Sequence, residues 1–312
     1  MKAPVLLIAF NRPDFTSRVF ETIRKYKPKK LYMAADGPRD GREGEKNRCE
    51  QVRSIVQQVD WECDVQTLFH PRNLGCKIAV SSAIDWFFKN EEQGIILEDD
   101  IIPEPSFYQF CEELLERYKD DERIGMISGD NFGFGFRRNQ NSYYYSIYSH
   151  IWGWASWRRA WKDYDVHMKD YDDFLKSEFL ADLFSNATEY NFWKSNFDKV
   201  AFENFDTWDF QWVYHNFKNG RLNIMPSVNL IRNIGFGESA AHTKQENQYS
   251  NMKTEPMNFP LVHPDYMIRD YKSDLMSQRT FFHQKEKNII SVLRLFYPFR
   301  ILNRIRRFLL GA

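Results

Sequence analysis

The chain lacks an excess of charge of either sign: 43 lysines and arginines balance 43 aspartates and glutamates in 312 residues. That balance argues against general nucleic-acid binding, which calls for a basic surface. Cysteine is scarce and scattered. Cys49, Cys63, Cys76 and Cys111 form no CxxC pair and have no histidines at zinc-ligand spacing, so they read as reduced, partly buried thiols without a disulfide framework. No apolar run reaches the ~18 residues needed to cross a bilayer. The first apolar stretch, Pro4 to Phe10, is too short for a span and no small-residue cleavage site follows it, so no signal peptide is read. GxxxxGK[ST] and a GxGxxG after a strand are both absent, which excludes a P-loop and a dinucleotide fingerprint. There is no internal repeat, no low-complexity run and no linker that divides the chain in two.

Aromatic residues are what the chain has in plenty, at 17%, with 27 Phe, 16 Tyr and 9 Trp. Such rings fill cores, and they also make the stacking faces that sugars and bases use. The first hundred residues alternate strand and helix. Strands are expected at Val5–Phe10, Lys30–Ala35, Asp64–Phe69 and around Ile95–Leu97. Helices are expected over Phe15–Tyr26, capped by Asp14 or Thr16, over about Asn47–Val59 and over Lys77–Lys89. This β-α-β order predicts an α/β fold with a mostly parallel sheet and right-handed crossovers. A helix over Pro105–Tyr118 and a strand at Ile124–Ser128 follow. The later half is less regular, with a Gly-rich loop at Phe132–Asn141, a strand at Tyr143–Tyr148, a tryptophan-dense Ile151–Trp161 and a largely helical Asp172–Phe202.

The densest chemical signal is the apolar run Ile95-Ile-Leu97 ending in Glu98, Asp99 and Asp100. An uninterrupted apolar strand is buried on both faces, and Pro103 is expected to end any further pairing. Open α/β sheets bind ligands at the carboxyl ends of their strands. Three adjacent carboxylates there repel one another unless a cation sits among them, and hard oxygen donors suit Mg²⁺ or Mn²⁺ with substrate phosphates completing the shell. The other strands end in polar residues too: Asn11 and Arg12, then Asp36, then Arg72 and Asn73. A carboxylate can accept from a base N–H, and an arginine can pair with a base edge or a phosphate. Each alone is equally good turn or cap chemistry; together they favour one nucleotide site.

Two further segments carry candidates. In Phe205-Asp-Thr-Trp-Asp-Phe-Gln-Trp212, Trp208 and Trp212 lie one helical turn apart with Asp206 and Asp209 beside them. Rings flanking a carboxylate would desolvate a general base and offer a platform for a sugar acceptor; equally, the rings are core and Asp209 is a cap. In Asn229 to Thr243, two glycines imply a mobile loop whose Arg232 and His242 could meet a diphosphate or a metal. The chain closes on Lys287 to Leu310, which joins six cations to Leu, Ile and Phe with no acid after Glu286. A basic, apolar-faced helix of that kind fits the plane of an anionic membrane, or a packing contact.

With these residues in view, the chain resembles a GT-A glycosyltransferase, most of all the N-acetylglucosaminyltransferase I family (glycosyltransferase family 13) and bacterial relatives in family 2. The resemblance is carried, in family order over about Pro4 to Thr243, by six motifs. They are Ile-Ala-Phe-Asn-Arg12, Ala-Ala-Asp-Gly37, Leu-Glu-Asp-Asp100, Trp-Gly-Trp-Ala-Ser-Trp157, Trp-Asp-Phe-Gln-Trp212 and Asn-Ile-Gly-Phe-Gly237. It implies a GT-A (Rossmann-like) domain over residues 1–285, with a nucleotide-binding half at 1–130, an acceptor-binding half at 131–285 and a basic amphipathic tail at 286–312. It implies that Asp100 coordinates Mn²⁺ or Mg²⁺ bridged to a UDP diphosphate, with His242 a further ligand in some GT-A enzymes. Asp99 would touch the ribose or sugar, Arg12 and Asp36 the uracil, with Asn11, Asn73, Glu98 and Arg232 around the donor. Asp209 matches the first acid of the family's Trp-Asp-Asp-Trp and would be the catalytic base. Phe210 stands where the family has the second acid, so Asp206 is the alternative base.

The implied reaction is inverting transfer from a UDP-sugar to a glycan or lipid-linked acceptor of a bacterial surface polysaccharide, by a cytoplasmic protein peripheral to the inner face of the cell membrane. Two other classes stay open. A sugar-nucleotide nucleotidylyltransferase would want a Gly-rich, basic loop after the first strand, which Asn11-Arg-Pro-Asp-Phe15 does not supply. A non-catalytic carbohydrate-binding, membrane-associated protein would have little use for Asp99, Asp100 and Asp209.

Overall fold

A computed structural model describes residues 2–236, 249 and 252–282. The chain runs β1 (Val5–Ala9), α1 (Pro13–Tyr26), β2 (Lys30–Ala35), α2 (Glu45–Ser54), a 3₁₀ turn (Ile55–Gln58), β3 (Asp64–Phe69), α3 (Gly75–Asn90) and β4 (Gln93–Glu98). It continues with β5 (Ile101–Pro103), α4 (Ser106–Arg117), β6 (Ile124–Ser128), β7 (Tyr143–Ser146), β8 (Trp154–Trp157) and the short helices α5 (Arg158–Trp161), α6 (Tyr171–Lys176) and α7 (Phe179–Asp182). Then come α8 (Ala187–Phe202), α9 (Asp209–Lys218), β9 (Leu222–Pro226), β10 (Ile231–Asn233) and α10 (Tyr271–Thr280).

Among the described residues, eight strands form one sheet in the order β3-β2-β1-β4-β8-β6-β9-β7. β3, β2, β1 and β4 are mutually parallel. β8 is antiparallel to both β4 and β6, β9 is parallel to β6, and β7 is antiparallel to β9. Only β8 and β7 therefore run against the rest, and the fold is the mostly parallel α/β sheet flanked by helices that the element order implied. The physical reason lies in the strands: β1 is buried along its whole length, and Ile95, Ile96 and Leu97 of β4 are each at most 1% exposed. Strands covered by helices on both faces have no use for polar alternation.

The order places a switch point between β1 and β4. From β1 the chain steps outward to β2 and β3, then returns to add β4 on the other side of β1, with Ile8 opposite Glu98. Crossovers that part in opposite directions leave a crevice at the carboxyl ends of those two strands. Arg12 leaves one lip of that crevice and Asp99 and Asp100 leave the other.

Several boundaries differ from expectation. α1 begins at Pro13, which suits the first helical position because its missing N–H has no partner there anyway. Neither Asp14 nor Thr16 caps it. Arg12 occupies the cap position and makes no side-chain cap bond. Phe15 stays near the surface, beneath the Arg12 guanidinium at 5.3 Å, and Thr16 takes its place in the buried stripe with Val19, Phe20 and Ile23. Pro103 does not end pairing: β5 joins β10 in a two-stranded ribbon with Ile231 opposite Pro103 and Arg232 opposite Ile102. An edge ribbon tolerates a proline because its missing donor can face away from the partner.

Candidate active site

At the carboxyl end of β4 the three acids meet one guanidinium. Arg12 Nη2 bridges Asp99 Oδ1 and Asp100 Oδ2, the latter at 3.0 Å, while its Nε reaches Asp99 Oδ2 at 3.4 Å. The Phe10 backbone N–H also points at Asp99 Oδ2, 3.4 Å away. Asp99 is 3% exposed. Burial pushes its carboxyl above the usual range, Arg12 pulls it back, and Asp100 adds repulsion. Glu98 is pushed up to about 8 by burial, then by Asp100 and Asp99, with Arg12 opposing and Asp209 adding to the rise. Burial is the larger cause of that rise, and the neighbouring acids add to it. One arginine does not balance three acids.

Arg12 itself breaks a local rule. A cation at a helix N-terminus sits against the positive end of the macrodipole, where acids are preferred. The residue is there for Asp99 and Asp100, which hold its guanidinium above even its ordinary basicity against the lowering effect of burial. In this structure it pairs with Asp99 and Asp100.

Asp100 is hemmed in from the other side. The Ile234 N–H donates to the Asp100 carbonyl at 2.8 Å, and a Cβ on Gly235 would overlap Asp100 Oδ2. Only glycine allows the chain after β10 to lie this close to the carboxylate. Sequence reading took the Asn-Ile-Gly-Phe-Gly glycines as signs of mobility; the close approach at Gly235 is what it missed.

Asp36, at the end of β2, is a clamp. Its Oδ1 accepts from the N–H of Gly37 at 2.8 Å and of Leu74 at 3.0 Å, and its Oδ2 accepts from Asn73 Nδ2 at 2.8 Å. Asn73 also donates to the Gly37 carbonyl at 3.1 Å, so the loops after β2 and β3 are sewn together. Burial raises the Asp36 carboxyl while the Leu74 and Gly37 N–H groups lower it. Asn11 donates to Glu45 Oε1 at 2.8 Å. Glu45 is fully buried, and the Arg39 side chain, which hydrogen-bonds it, brings its carboxyl down to about 2. Arg39 and Glu45 had no sequence signal beyond lying in a charged loop.

Asp206 and Asp209 part company. Asp206 reaches across 130 residues to accept from the N–H of Cys76 at 3.3 Å and of Lys77 at 2.8 Å, which makes it the missing cap of α3. Asp209 opens α9; its Oδ1 accepts from Thr207 Oγ1 and, at 2.9 Å, from the Phe210 N–H. Its Oδ2 makes no hydrogen bond among the described residues. Burial raises the Cys76 thiol, followed by the fields of Glu98, Asp209 and Asp206, so these acids share one neighbourhood. Trp208 and Trp212 are not a platform: they are 2% and 0% exposed and pack on Trp154 at centroid distances of 5.8 and 5.7 Å. The tryptophan-dense segments meet each other in the core.

Arg232 is exposed on β10, beside Ile102, Pro103 and Glu104, and makes no ion pair among the described residues. His242 and the tail at 286–312 lie outside the described residues. Asp130, at the end of β6, went unnoticed in the sequence. It is 1% exposed and accepts from Ser128 Oγ and the Trp152 N–H, each at 3.1 Å, and burial pushes its carboxyl up to about 8 against both bonds.

Among the described residues, no group of three or more His, Cys, Asp and Glu could hold a metal ion. The acid pair nevertheless fits a hard divalent cation, because one Arg12 nitrogen already stands as a cation between an oxygen of Asp99 and one of Asp100. With two protein carboxylates, the remaining ligands would come from substrate phosphates and water, the usual habit of Mg²⁺.

No protein-family model and no curated protein matches the sequence. Solved structures do show similarity. HddC from Yersinia pseudotuberculosis aligns at 11% identity with a TM-score of 0.33, over 56% of this chain and 85% of that one. The mannosyltransferase PcManGT from Pyrobaculum calidifontis, in complex with GDP-Man and Mn²⁺, aligns at 10% identity and 0.35, over 52% of this chain and 46% of that one. The 4-diphosphocytidyl-2C-methyl-D-erythritolsynthase from Anaerococcus prevotii aligns at 7% identity and 0.32, over 66% and 85%. Likeness at this level identifies no activity for the present chain.

Proposed function

We propose that the chain is a metal-dependent glycosyltransferase that moves a sugar, with inversion, from a UDP-sugar to a glycan or lipid-linked acceptor. What supports this reading above all is the convergence at the β1/β4 switch point: Glu98, Asp99 and Asp100 gathered round Arg12, with Asp209 in the same electrostatic neighbourhood. A bound Mn²⁺ or Mg²⁺ would be held by Asp100 and Asp99 and would neutralise charge on the leaving diphosphate. Asp36, Asn73 and Asn11 shape the loops where the nucleoside lies, and Asn73 Oδ1 remains for a donor. Asp209 accepts the proton of the acceptor hydroxyl at Oδ2 as that oxygen attacks the anomeric carbon. Asp206 is unsuited to this role because both its oxygens are engaged at the start of α3. The sugar face and the acceptor fall to the half after residue 130.

For the membrane contact, the support is the cation-rich tail alone; among the described residues no helix is long and apolar enough to cross a membrane. The test of the functional reading is UDP release from a panel of UDP-sugars with Mn²⁺ and with EDTA. Metal-dependent release is expected. Formation of a nucleotide sugar from UTP and a sugar 1-phosphate, with pyrophosphate released, would establish the nucleotidylyltransferase instead. Neither activity, together with saccharide binding, would leave the non-catalytic class.

A further inference from the structure

We propose that Arg12 is a resident counter-cation filling the metal position between Asp99 and Asp100, so that the metal enters only with a nucleotide diphosphate that gives the guanidinium a new partner. The inference rests on the reading of this crevice as a nucleotide-sugar site and adds to it an order of binding. Arg12 Nη2 donates to both carboxylates, and among the described residues these acids have no other ion-pair partner. Their side chains are 5% and 17% exposed, so a charge left unpaired there is poorly served by water. The Arg12 side chain is 21% exposed, with its guanidinium lying over Phe15.

A divalent ion arriving alone must break three charge-assisted bonds and leave a cation stranded at the N-terminus of α1, where the macrodipole disfavours it. A diphosphate arriving with the ion removes that penalty, because the planar fork of arginine pairs bidentately with phosphate oxygens. Asp100 cannot retreat to make room for both cations, since the backbone at Gly235 lies against its carboxylate. Metal and nucleotide must then strengthen each other's binding by the same factor.

The experiment titrates Mn²⁺ without nucleotide, following free Mn²⁺ by electron paramagnetic resonance, on the full chain and on Arg12→Gln. Removing the guanidinium should strengthen binding of Mn²⁺ alone by tenfold or more. Arg12→Gln binding Mn²⁺ no better than the unaltered chain overturns the proposal. Arg12→Lys serves if the glutamine variant does not fold. Its ammonium lacks the fork and should allow a smaller gain in Mn²⁺ binding, and no gain at all overturns the proposal equally. The same titration on the unaltered chain with UDP present keeps the two readings apart. Failure to bind UDP with Mn²⁺ counts against the functional reading, whereas the nucleotide-free comparison judges Arg12 alone.

Discussion

The half of the molecule before residue 130 and the half after it solve opposite problems. The first gathers charge around one partner: Glu98, Asp99 and Asp100 share the field of a single Arg12, and burial, with their mutual repulsion added, raises the carboxyls of Glu98 and Asp99 above their ordinary range. The second spends its polar chemistry on structure. Its tryptophans stack in the core, Asp206 caps a distant helix, and Asp274 takes Ser146 Oγ and Arg269 Nε to pin α10 to β7. Within that second half, Asp209 is the exception, with Oδ1 anchored and Oδ2 without a hydrogen bond among the described residues. The lesson is that abundance of a residue type says little about its task. Aromatics at 17% of the chain look like a binding surface and turn out to be mostly packing, whereas three adjacent acids out of 43 stand at the carboxyl end of β4.

The comparison is broken most forcefully at Trp212. If its ring is core, Trp212→Ala costs about 3–5 kcal/mol of stability, as large-to-small changes in close-packed interiors do. Urea denaturation measures it; an unchanged midpoint with weakened acceptor binding would return the ring to the role of platform.

Asp209→Asn keeps size and anchoring but cannot take a proton. Transfer should fall about 10²-fold or more while UDP binding persists, as seen by kcat and calorimetry together. Loss of donor binding in this variant would move Asp209 from the acceptor side to the donor side.

Asp206→Ala sharpens the contrast between the two acids. It removes a cap, so stability should drop by about 1 kcal/mol, read as a lower melting temperature. Residual transfer should exceed that of Asp209→Asn. The reverse ranking would exchange their roles.

The last test concerns pH. Asp130 is raised from 3.8 to about 8 by burial. A raised carboxyl contributes stability that is fully present below the unfolded value and is lost as pH climbs through the folded one. Stability should therefore decline from about pH 4 to pH 8, and Asp130→Asn should flatten that decline, raising the melting temperature at pH 8 but not at pH 4. Parallel profiles for the two proteins would show that Asp130 titrates normally.

The half before residue 130 was legible in the sequence because its signals are local. Lys30–Ala35, Asp64–Phe69 and Ile124–Ser128 are strands to the residue, since a short apolar run between turn residues has few other uses. Helix α4 buries Phe107, Phe110, Leu114 and Leu115, which recur at helical spacing within the expected Pro105–Tyr118 segment. The acids after β4 were legible for the same reason, as a polar break after a buried strand.

What local pattern could not contain is who meets whom. That Asp206 would cap α3 depends on a contact 130 residues distant in sequence, and no spacing rule reports it. That Gly235 exists to let Asp100 stand where it does depends on β10 pairing with β5, a ribbon that Pro103 argued against. Arg12 offers the clearest case. Its sequence position fixed it at the lip of the crevice, but whether it would face a base, a phosphate or an acid was decided by β4 lying next to β1. By itself the sequence determined the α/β class and the presence of a carboxylate-rich strand end, because burial and turn chemistry act over a few residues. Only the tertiary structure decided which charges share a cation, because Coulomb energy depends on distances that the chain sets only when it has folded.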